Sequence, residues 1–230
     1  MIKKLMLGFL FIVCLFSLSY ASPFDRDTKL DEAMNEIGIY DEIEPYTVNI
    51  YSIGRMQGVS FCSGTIIKND IQTEILTCKH CIMVTDEMWV ENNKVKLIIA
   101  SDKDDLAILI VDGKLKNKEV AKIAVNKPNL YEKLFMYGHP GLVTTFKSNG
   151  TIIKYTNTWG YAKMKIEPGC SGSGLFNDKN EVVGVAWGAF SEGQQEGETI
   201  FSYPKGGTSI TLFEPLDNIQ EFLKEIENLK

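Results

Sequence analysis

Between residues 46 and 213 the chain consists of short segments rich in Ile, Val, Tyr, Phe and Thr, each roughly five to eight residues long. Turn-forming stretches such as SNG at 148–150 and NDKN at 177–180 separate many of them. Helical periodicity does not interrupt the series, which argues against alternating strands and helices. A chain of many short strands has to bury its sheet faces against one another, so this pattern predicts an all-β barrel or sandwich.

The C-terminal segment follows a different pattern. Its apolar residues recur at intervals of three and four, which places them on one face of a helix. We expect a helix over residues 214–230 that docks onto the β-domain through the following residues: Leu216, Ile219, Phe222, Leu223, Ile226 and Leu229. The acidic segment 22–45 is predicted to be partly helical, and whether it is a propeptide stays open.

The N-terminus has the pattern of a secretory signal peptide. A basic start, MIKK, precedes an apolar run, and small residues surround Ala21. The competing interpretation is a retained membrane anchor, but the apolar run is short for a bilayer span. We therefore expect cleavage after Ala21, no integral membrane span in the mature chain, and a secreted or periplasmic protein.

Charge composition excludes one class of partner. The formal net charge is −6, with 24 basic and 30 acidic residues, and no run of Lys and Arg suggests a basic surface. Nucleic acids and anionic membranes attract clustered positive charge. We therefore expect no nucleic-acid partner.

Three residue types that support nucleophilic catalysis occur along the chain in the order His, Asp, Ser. His80 follows an apolar β-rich run, Asp105 opens the apolar segment LAILIV, and Ser171 lies in the glycine-rich stretch EPGCSGSGLFN at 167–177. A serine nucleophile needs an imidazole base held in one tautomer by a carboxylate. Asp105 is favoured because the start of an apolar strand can be partly buried, and Asp104 stays an alternative.

These segments together resemble the trypsin-like (chymotrypsin-fold) serine proteases of the bacterial secreted type. The resemblance rests on CSGTIIKN and ILTCKHC within 62–81, DDLAIL at 104–109, PGCSGSGLFN and EVVGVAWG within 168–188, and GGTSITLFEPLDNIQEFL at 206–223. It implies two six-stranded antiparallel β-barrels and a C-terminal α-helix. The first barrel would occupy about 46–125 and the second about 130–213, with a boundary near 125–133.

The resemblance also implies an acyl-enzyme mechanism that needs no cofactor and no metal, with protein or peptide substrates. Ser171 would be the nucleophile, His80 the general base and then acid, and Asp105 the orienting carboxylate. The N–H groups of Gly169 and Ser171 would form the oxyanion hole. A substrate backbone would pair with an edge formed by the following residues: Ala186, Trp187 and Gly188.

The chain departs from the family pattern in and beside the substrate pocket. Cys170 stands where pancreatic relatives have an aspartate, and Ser173 replaces a glycine, as in bacterial glutamyl-specific relatives. Those relatives use a pocket-wall histidine, whereas Val185 stands at the matching position. Lys165 falls at the family's pocket floor, where it would attract a carboxylate.

Four cysteines follow the signal-peptide pattern, which allows up to two disulfides in an exported chain. By resemblance, Cys62 and Cys81 match the family's bridge beside the base. Cys78 and Cys170 are then either bridged to each other or two reduced, buried thiols. Zinc is disfavoured because His139 is the only other histidine and a zinc site needs about four ligands.

Rival functions are weaker on the sequence. A lipase-type hydrolase needs G-x-S-x-G and the order Ser, Asp, His, whereas the window from Gly169 ends in Ser173. A nucleophilic Cys170 would stand one position early. The alternative from another class is a catalytically idle trypsin-like fold that acts as a secreted binding protein.

Overall fold

The computed structural model describes residues 39–54, 58–83, 86–141, 145–191 and 209–228. The signal-peptide pattern at 1–21 and residues 22–38 lie outside the described residues, as does Leu229. Within the predicted N-terminal segment, the described residues form a short helix, α1 (Ile39–Ile43), and a 3-10 turn (Glu44–Tyr46).

The described chain is mostly β-strand. A second 3-10 turn spans Lys79–Ile82, and the C-terminal helix α2 spans Leu216–Asn228. The strands, in chain order, are β1 (Thr47–Gly54), β2 (Gly58–Asn69), β3 (Gln72–Thr77), β4 (Glu87–Val90), β5 (Asn93–Lys94), β6 (Leu97–Ala100), β7 (Ala107–Asp112), β8 (Lys122–Ile123), β9 (Lys133–Gly138), β10 (Phe146–Tyr155), β11 (Gly160–Met164), β12 (Gly174–Phe176), β13 (Glu181–Ser191) and β14 (Ser209–Pro215).

The first sheet is antiparallel and curled, with the strand order β5-β4-β1-β2-β3-β7-β6. Its end strands β5 and β6 are consecutive in the chain. Between them, Val95 N–H donates to the Met88 carbonyl (2.9 Å) and Lys96 N–H to the Ile110 carbonyl (2.8 Å). The chain therefore passes from one end of the curled sheet to the other in a few residues.

The second sheet closes into a barrel. Its order is β12-β9-β10-β11-β14-β13-β8, and an additional pairing of β12 with β13 joins six of these strands in a ring. The two-residue strand β8 lies parallel to β13, outside that ring. Apolar residues of the barrel strands fill its interior, among them Leu134, Met136 and Phe213, which are fully buried.

Helix α2 packs through the face that the sequence predicts. Leu216, Ile219, Phe222 and Ile226 are buried, whereas the charged residues between them are exposed. The predicted fold class, an all-β chain with a C-terminal helix, is confirmed. Of the two predicted six-stranded barrels, the second is closed, whereas the described residues of the first form a curled sheet of seven strands. Within the described residues, no helix is long and apolar enough to cross a membrane.

One of the two disulfides considered from the sequence is present. Cys62 on β2 is bonded to Cys81 in the second 3-10 turn, across a sequence separation of 19. Cys78 and Cys170 are free and buried, so of the two alternatives left open by the sequence the reduced thiols are found and the possible second bridge is not formed. The Cys78 thiol donates to the Ala186 carbonyl at 3.3 Å, whereas Cys170 packs into the barrel core. Each thiol therefore has a separate partner.

Removal of the disulfide provides a test of its role. Cys62→Ala/Cys81→Ala should lower the free energy of unfolding by about 3 kcal/mol, because a bridge that closes a loop of this length restricts the unfolded chain. Urea titration measures the change. As a control, a reductant should lower the unfolding midpoint of the wild type and leave that of the double variant unchanged. A double variant that unfolds at the same urea midpoint as the oxidised wild type would contradict this account.

Candidate active site

The end of β3 and the start of β7 bring a histidine and an aspartate together. The two strands are antiparallel neighbours, and Thr77 pairs with Ala107 at their shared end. His80 Nδ1 lies 2.6 Å from Asp105 Oδ2, and His80 N–H donates to Asp105 Oδ1 at 2.7 Å. Because both carboxylate oxygens bind one residue, the imidazole is fixed in orientation and its Nε2 is left for another partner.

The neighbouring aspartate contacts a different part of the chain. Asp104 Oδ1 accepts a hydrogen bond from Asn218 Nδ2 at 3.1 Å. Burial raises the pKa of the Asp104 carboxyl, with the negative charge of Glu221 contributing. Of the two sequence candidates, Asp105 is therefore the carboxylate that binds His80.

Ser171 lies in a glycine-rich turn that is anchored to the first sheet. The Ser171 carbonyl accepts from Ser63 N–H on β2 at 2.8 Å. Gly169 and Gly172 on either side have positive φ values of 95° and 88°, a region that glycine adopts without strain. The Cys81 sulfur, one residue beyond His80, lies 3.7 Å from the Ser171 carbonyl oxygen. The turn that carries Ser171 thus lies beside the turn that carries His80.

Main-chain N–H groups alternate between engaged and free along this turn. Those of Cys170, Gly172 and Ser173 donate to carbonyls at 2.7–3.0 Å. Those of Gly169 and Ser171 have no acceptor within the part of the chain that the structure describes. Two unpaired N–H groups beside a serine can bind the negative oxygen of a tetrahedral intermediate.

The Ser171 hydroxyl donates to the Trp187 carbonyl at 3.2 Å. Among the described residues, no hydrogen bond joins it to His80. A change in the χ1 rotamer would move the Oγ away from β13, and nucleophile-to-base hydrogen bonds are often loose without substrate.

The sequence analysis missed two polar residues that hold this turn. Ser63 Oγ donates to the Gly169 carbonyl at 2.9 Å and accepts from His139 N–H at 2.9 Å. Thr65 Oγ1 accepts from Gly174 N–H at 2.9 Å. Both residues lie fully buried in the segment CSGT of β2. Buried polar groups need partners, so polar residues inside a strand were the available signal.

The predicted substrate edge lies on β13, where the open part begins at Trp187. Ala186 is buried, its N–H donates to the Ser173 carbonyl (2.9 Å), and its carbonyl accepts from Gly172 N–H (2.7 Å). Strand β12 pairs with β13 only up to Val185. From Trp187 onward, including Gly188, the described residues place β14 on one side and no strand on the other.

The pocket residues proposed from the resemblance lie in contrasting environments. Lys165 follows β11 and is exposed, two residues before Glu167. Burial raises the pKa of the Glu167 carboxyl, and the charge of Lys165 acts in the opposite direction. Val185 is completely buried.

The free thiols are chemically quiet. Burial raises the pKa of Cys170 to about 12 and that of Cys78 well above its usual range. The thiolate is the reactive form, so neither cysteine is suited to nucleophilic attack near neutral pH. The ligand atoms of Cys78, His80 and Asp105 lie within 4.8 Å of one another. A protonated, buried thiol is a poor metal ligand, which disfavours an ion there.

The second histidine is part of the scaffold. His139 Nε2 lies 3.4 Å from Thr47 Oγ1, and its ring packs edge-on against Tyr137. Burial lowers the pKa of His139 to about 4, with the charge of Lys118 contributing. The imidazole is therefore neutral at physiological pH.

Residues 62–185 match the family model of the trypsin-like peptidase domain, a segment that includes His80, Asp105 and Ser171. The chain belongs to the trypsin-like peptidase family. Among curated proteins it is similar to two probable periplasmic DegP-like serine endoproteases. One, from Pseudomonas putida, is 30% identical over 142 residues, and one from Pseudomonas savastanoi pv. phaseolicola is 32% identical over the same length. Each alignment covers 55% of this chain and 28% of the relative.

Solved structures of proteases share the fold. The active form of a Mycobacterium tuberculosis protease superposes with a TM-score of 0.65 at 17% identity, covering 84% of this chain and 85% of that one. A serine endoprotease from Yersinia pestis gives a TM-score of 0.64 at 22% identity, covering 83% of this chain and 65% of that one. The predicted chymotrypsin-like architecture is thereby confirmed.

Gly172 has no room for a side chain. A Cβ there would lie 2.1 Å from both the Ser63 carbonyl oxygen and Thr77 Oγ1. Gly113 also has a positive φ, 78°, but open space around it, which makes it a matched control. We expect Gly113→Ala to cost about 1–2 kcal/mol of stability and Gly172→Ala about 3–4 kcal/mol, because the second adds a backbone clash. Equal losses in urea titrations of the two variants would contradict this expectation.

The buried His139 should make the free energy of unfolding depend on pH. The unfolded chain binds a proton near pH 6.5, whereas the folded His139 binds one only near pH 4. The unfolded state therefore holds more protons between these values, so stability falls as the pH falls from 6.5 towards 4. His139→Gln should flatten this part of the curve of unfolding free energy against pH. A variant curve parallel to the wild-type curve would contradict the assignment.

Proposed function

We propose that this chain is an exported serine endopeptidase that cleaves peptide bonds through an acyl-enzyme. One observation carries the proposal: the His80–Asp105 pair lies beside a serine turn in which the N–H groups of Gly169 and Ser171 have no acceptor among the described residues. Nucleophile, base, orienting carboxylate and oxyanion donors are the parts that acyl transfer requires.

The reaction starts when the Ser171 hydroxyl rotates from the Trp187 carbonyl to His80 Nε2. The Oγ attacks the scissile carbonyl carbon while His80 takes the hydroxyl proton, and Asp105 stabilises the imidazolium that forms. The carbonyl oxygen becomes negative and binds the N–H groups of Gly169 and Ser171. Each such donor typically stabilises a transition state by roughly 2.7–4 kcal/mol.

Collapse of the intermediate breaks the C–N bond. His80 gives its proton to the leaving amine, which departs and leaves an ester on Ser171. A water molecule, deprotonated by His80, then attacks this ester. The acid product leaves and the proton returns to Ser171 Oγ, so the residues end in their starting states.

The substrate would bind as an extended strand along β13. Ala186 and Gly188 pair with β14, and among the described residues no strand lies on the opposite side from Trp187 onward, which leaves that side for main-chain hydrogen bonds to a substrate. This is β-augmentation, which recognises a peptide largely through its backbone. The resemblance places the exposed Lys165 at the pocket floor as a substrate-binding residue, where it would attract a carboxylate, whereas the buried Val185 in place of the family's pocket-wall histidine argues against acid specificity.

Export rests on two observations. The signal-peptide pattern at 1–21 predicts it, and the similar Pseudomonas proteins are named periplasmic. We retain the sequence-based division into a signal peptide, an N-terminal segment at 22–45 and a protease domain at 46–230 as part of this proposal.

Labelling by a fluorophosphonate probe tests the function without a known substrate. The mature wild type should label, Ser171→Ala should not, and His80→Ala and Asp105→Asn should slow labelling on the order of 10⁴-fold. Ser173→Ala is a matched control because it removes a buried hydroxyl from the same turn; it should label at the wild-type rate.

Failure of the folded, oxidised wild type to label would contradict the protease assignment. That result would favour the idle binding protein. Labelling of Ser171→Ala would place the reactive group elsewhere and overturn the assignment of the nucleophile.

A further inference from the structure

We propose that Glu214 is a positioning residue of the active site, whose buried carboxylate holds the Asp105 backbone so that the Asp105 side chain meets His80. This inference rests on the proposed function. Glu214 lies on β14, opposite Val185 of β13, and its side chain reaches the first sheet from the second. It is 1% exposed.

The carboxylate of Glu214 divides its two oxygens between two elements. Oε1 accepts from the N–H of Asp105 at 3.1 Å, and Oε2 accepts from Asn218 Nδ2 at 2.8 Å. The peptide group of Asp105 is therefore fixed on one side by β14. On the other side, the Asp105 carbonyl accepts from Lys79 N–H at 3.2 Å, in the turn that carries His80.

Asn218 on helix α2 completes the network. Its Nδ2 lies within hydrogen-bond distance of Asp104 Oδ1 and of the Thr158 carbonyl, both at 3.1 Å, in addition to Glu214. One amide thus joins the helix, the strand β14 and the segment that carries Asp105. Helix α2 therefore docks where Asn218 can help to position the segment that carries Asp105.

A buried carboxylate at this position costs free energy because it is removed from water and lies near other acidic groups. Asp104 and Asp105 face Glu214 from the start of β7, Cys78 faces it from the end of β3, and α2 contributes the uncharged Asn218. Burial raises the pKa of Glu214 to about 7, and the charges of Asp104 and Asp105 contribute. An apolar side chain could fill this position equally well, but it would leave the Asp105 N–H without a hydrogen-bond acceptor.

Protonation changes what Glu214 can do. The ionised carboxylate accepts the hydrogen bonds of Asp105 and Asn218 at full strength. When Glu214 is protonated, one oxygen carries a hydrogen of its own and is a weaker acceptor, so one of these two bonds is weakened. Above pH about 7 the Asp105 backbone is therefore held most firmly.

The test compares second-order fluorophosphonate labelling rates from pH 5.5 to 9, a range chosen around roughly pH 7. Glu214→Gln keeps the shape and one acceptor but loses the charge. We expect labelling about tenfold slower at the upper end and a shallower fall towards acid pH. Glu221→Gln is the control: Glu221 lies on the exposed face of helix α2, where it binds Lys103, and this variant should match the wild type at every pH.

The outcomes separate this inference from the function. A wild type that does not label overturns the proposed function itself. A wild type that labels, with Glu214→Gln equal to it across the pH range, overturns the role of Glu214. A uniform loss with an unchanged pH profile shows a merely structural contribution and also overturns it. If Glu214→Gln does not fold, Asn218→Ala decides by the same comparison, because Asn218 is partly exposed.

Discussion

The contact between His80 and Asp105 is the constraint that the rest of the site depends on. It requires the end of β3 and the start of β7 to lie side by side, which the antiparallel pairing of these strands provides. The bidentate geometry holds the imidazole in one orientation, with distances of 2.6 and 2.7 Å. A serine from the second sheet then has to be brought to this fixed pair.

The turn that carries Ser171 is held against the first sheet by main-chain and buried polar contacts. Ser63 bonds the turn at two carbonyls, and the tight approach at Gly172 excludes any side chain there. On its other side the turn is bonded to the barrel through Ala186. The Ala186 N–H donates to the Ser173 carbonyl, and the Ala186 carbonyl accepts from Gly172 N–H. Within the described part of the chain, only the N–H groups of Gly169 and Ser171 in this turn have no acceptor, because those of Cys170, Gly172 and Ser173 are already bonded to carbonyls.

The sequence predicted the features that repeat along the chain and the residues that belong to motifs. Short apolar segments, the helical spacing of residues 214–230 and the stretch GCSGSG carry strong local signals, and the resemblance assigned Cys62–Cys81. The sequence left Cys78 and Cys170 either bridged or reduced, and the structure has the two reduced, buried thiols. Side-chain direction decides whether two thiols meet, and these two point to different neighbours.

The roles of residues that join the two sheets could not be predicted from the sequence. Ser63 and Glu214 sit inside strands, where a polar residue has no local sign of its distant partner. The edge that begins at Trp187 is open, among the described residues, because the pairing of β12 with β13 ends at Val185, and no short motif indicates where such a pairing ends. Long-range pairing determines all three features, and one sequence does not display it.

A proton NMR spectrum of the mature protein tests the His80–Asp105 pair most directly. A proton shared across a contact of 2.6 Å is strongly deshielded, so its resonance should lie well downfield of the amide region. The account predicts this resonance in the wild type and in Ser171→Ala, and its loss in His80→Ala and Asp105→Asn. A resonance that survives Asp105→Asn unchanged, or one absent from folded wild type at low temperature, would contradict the account.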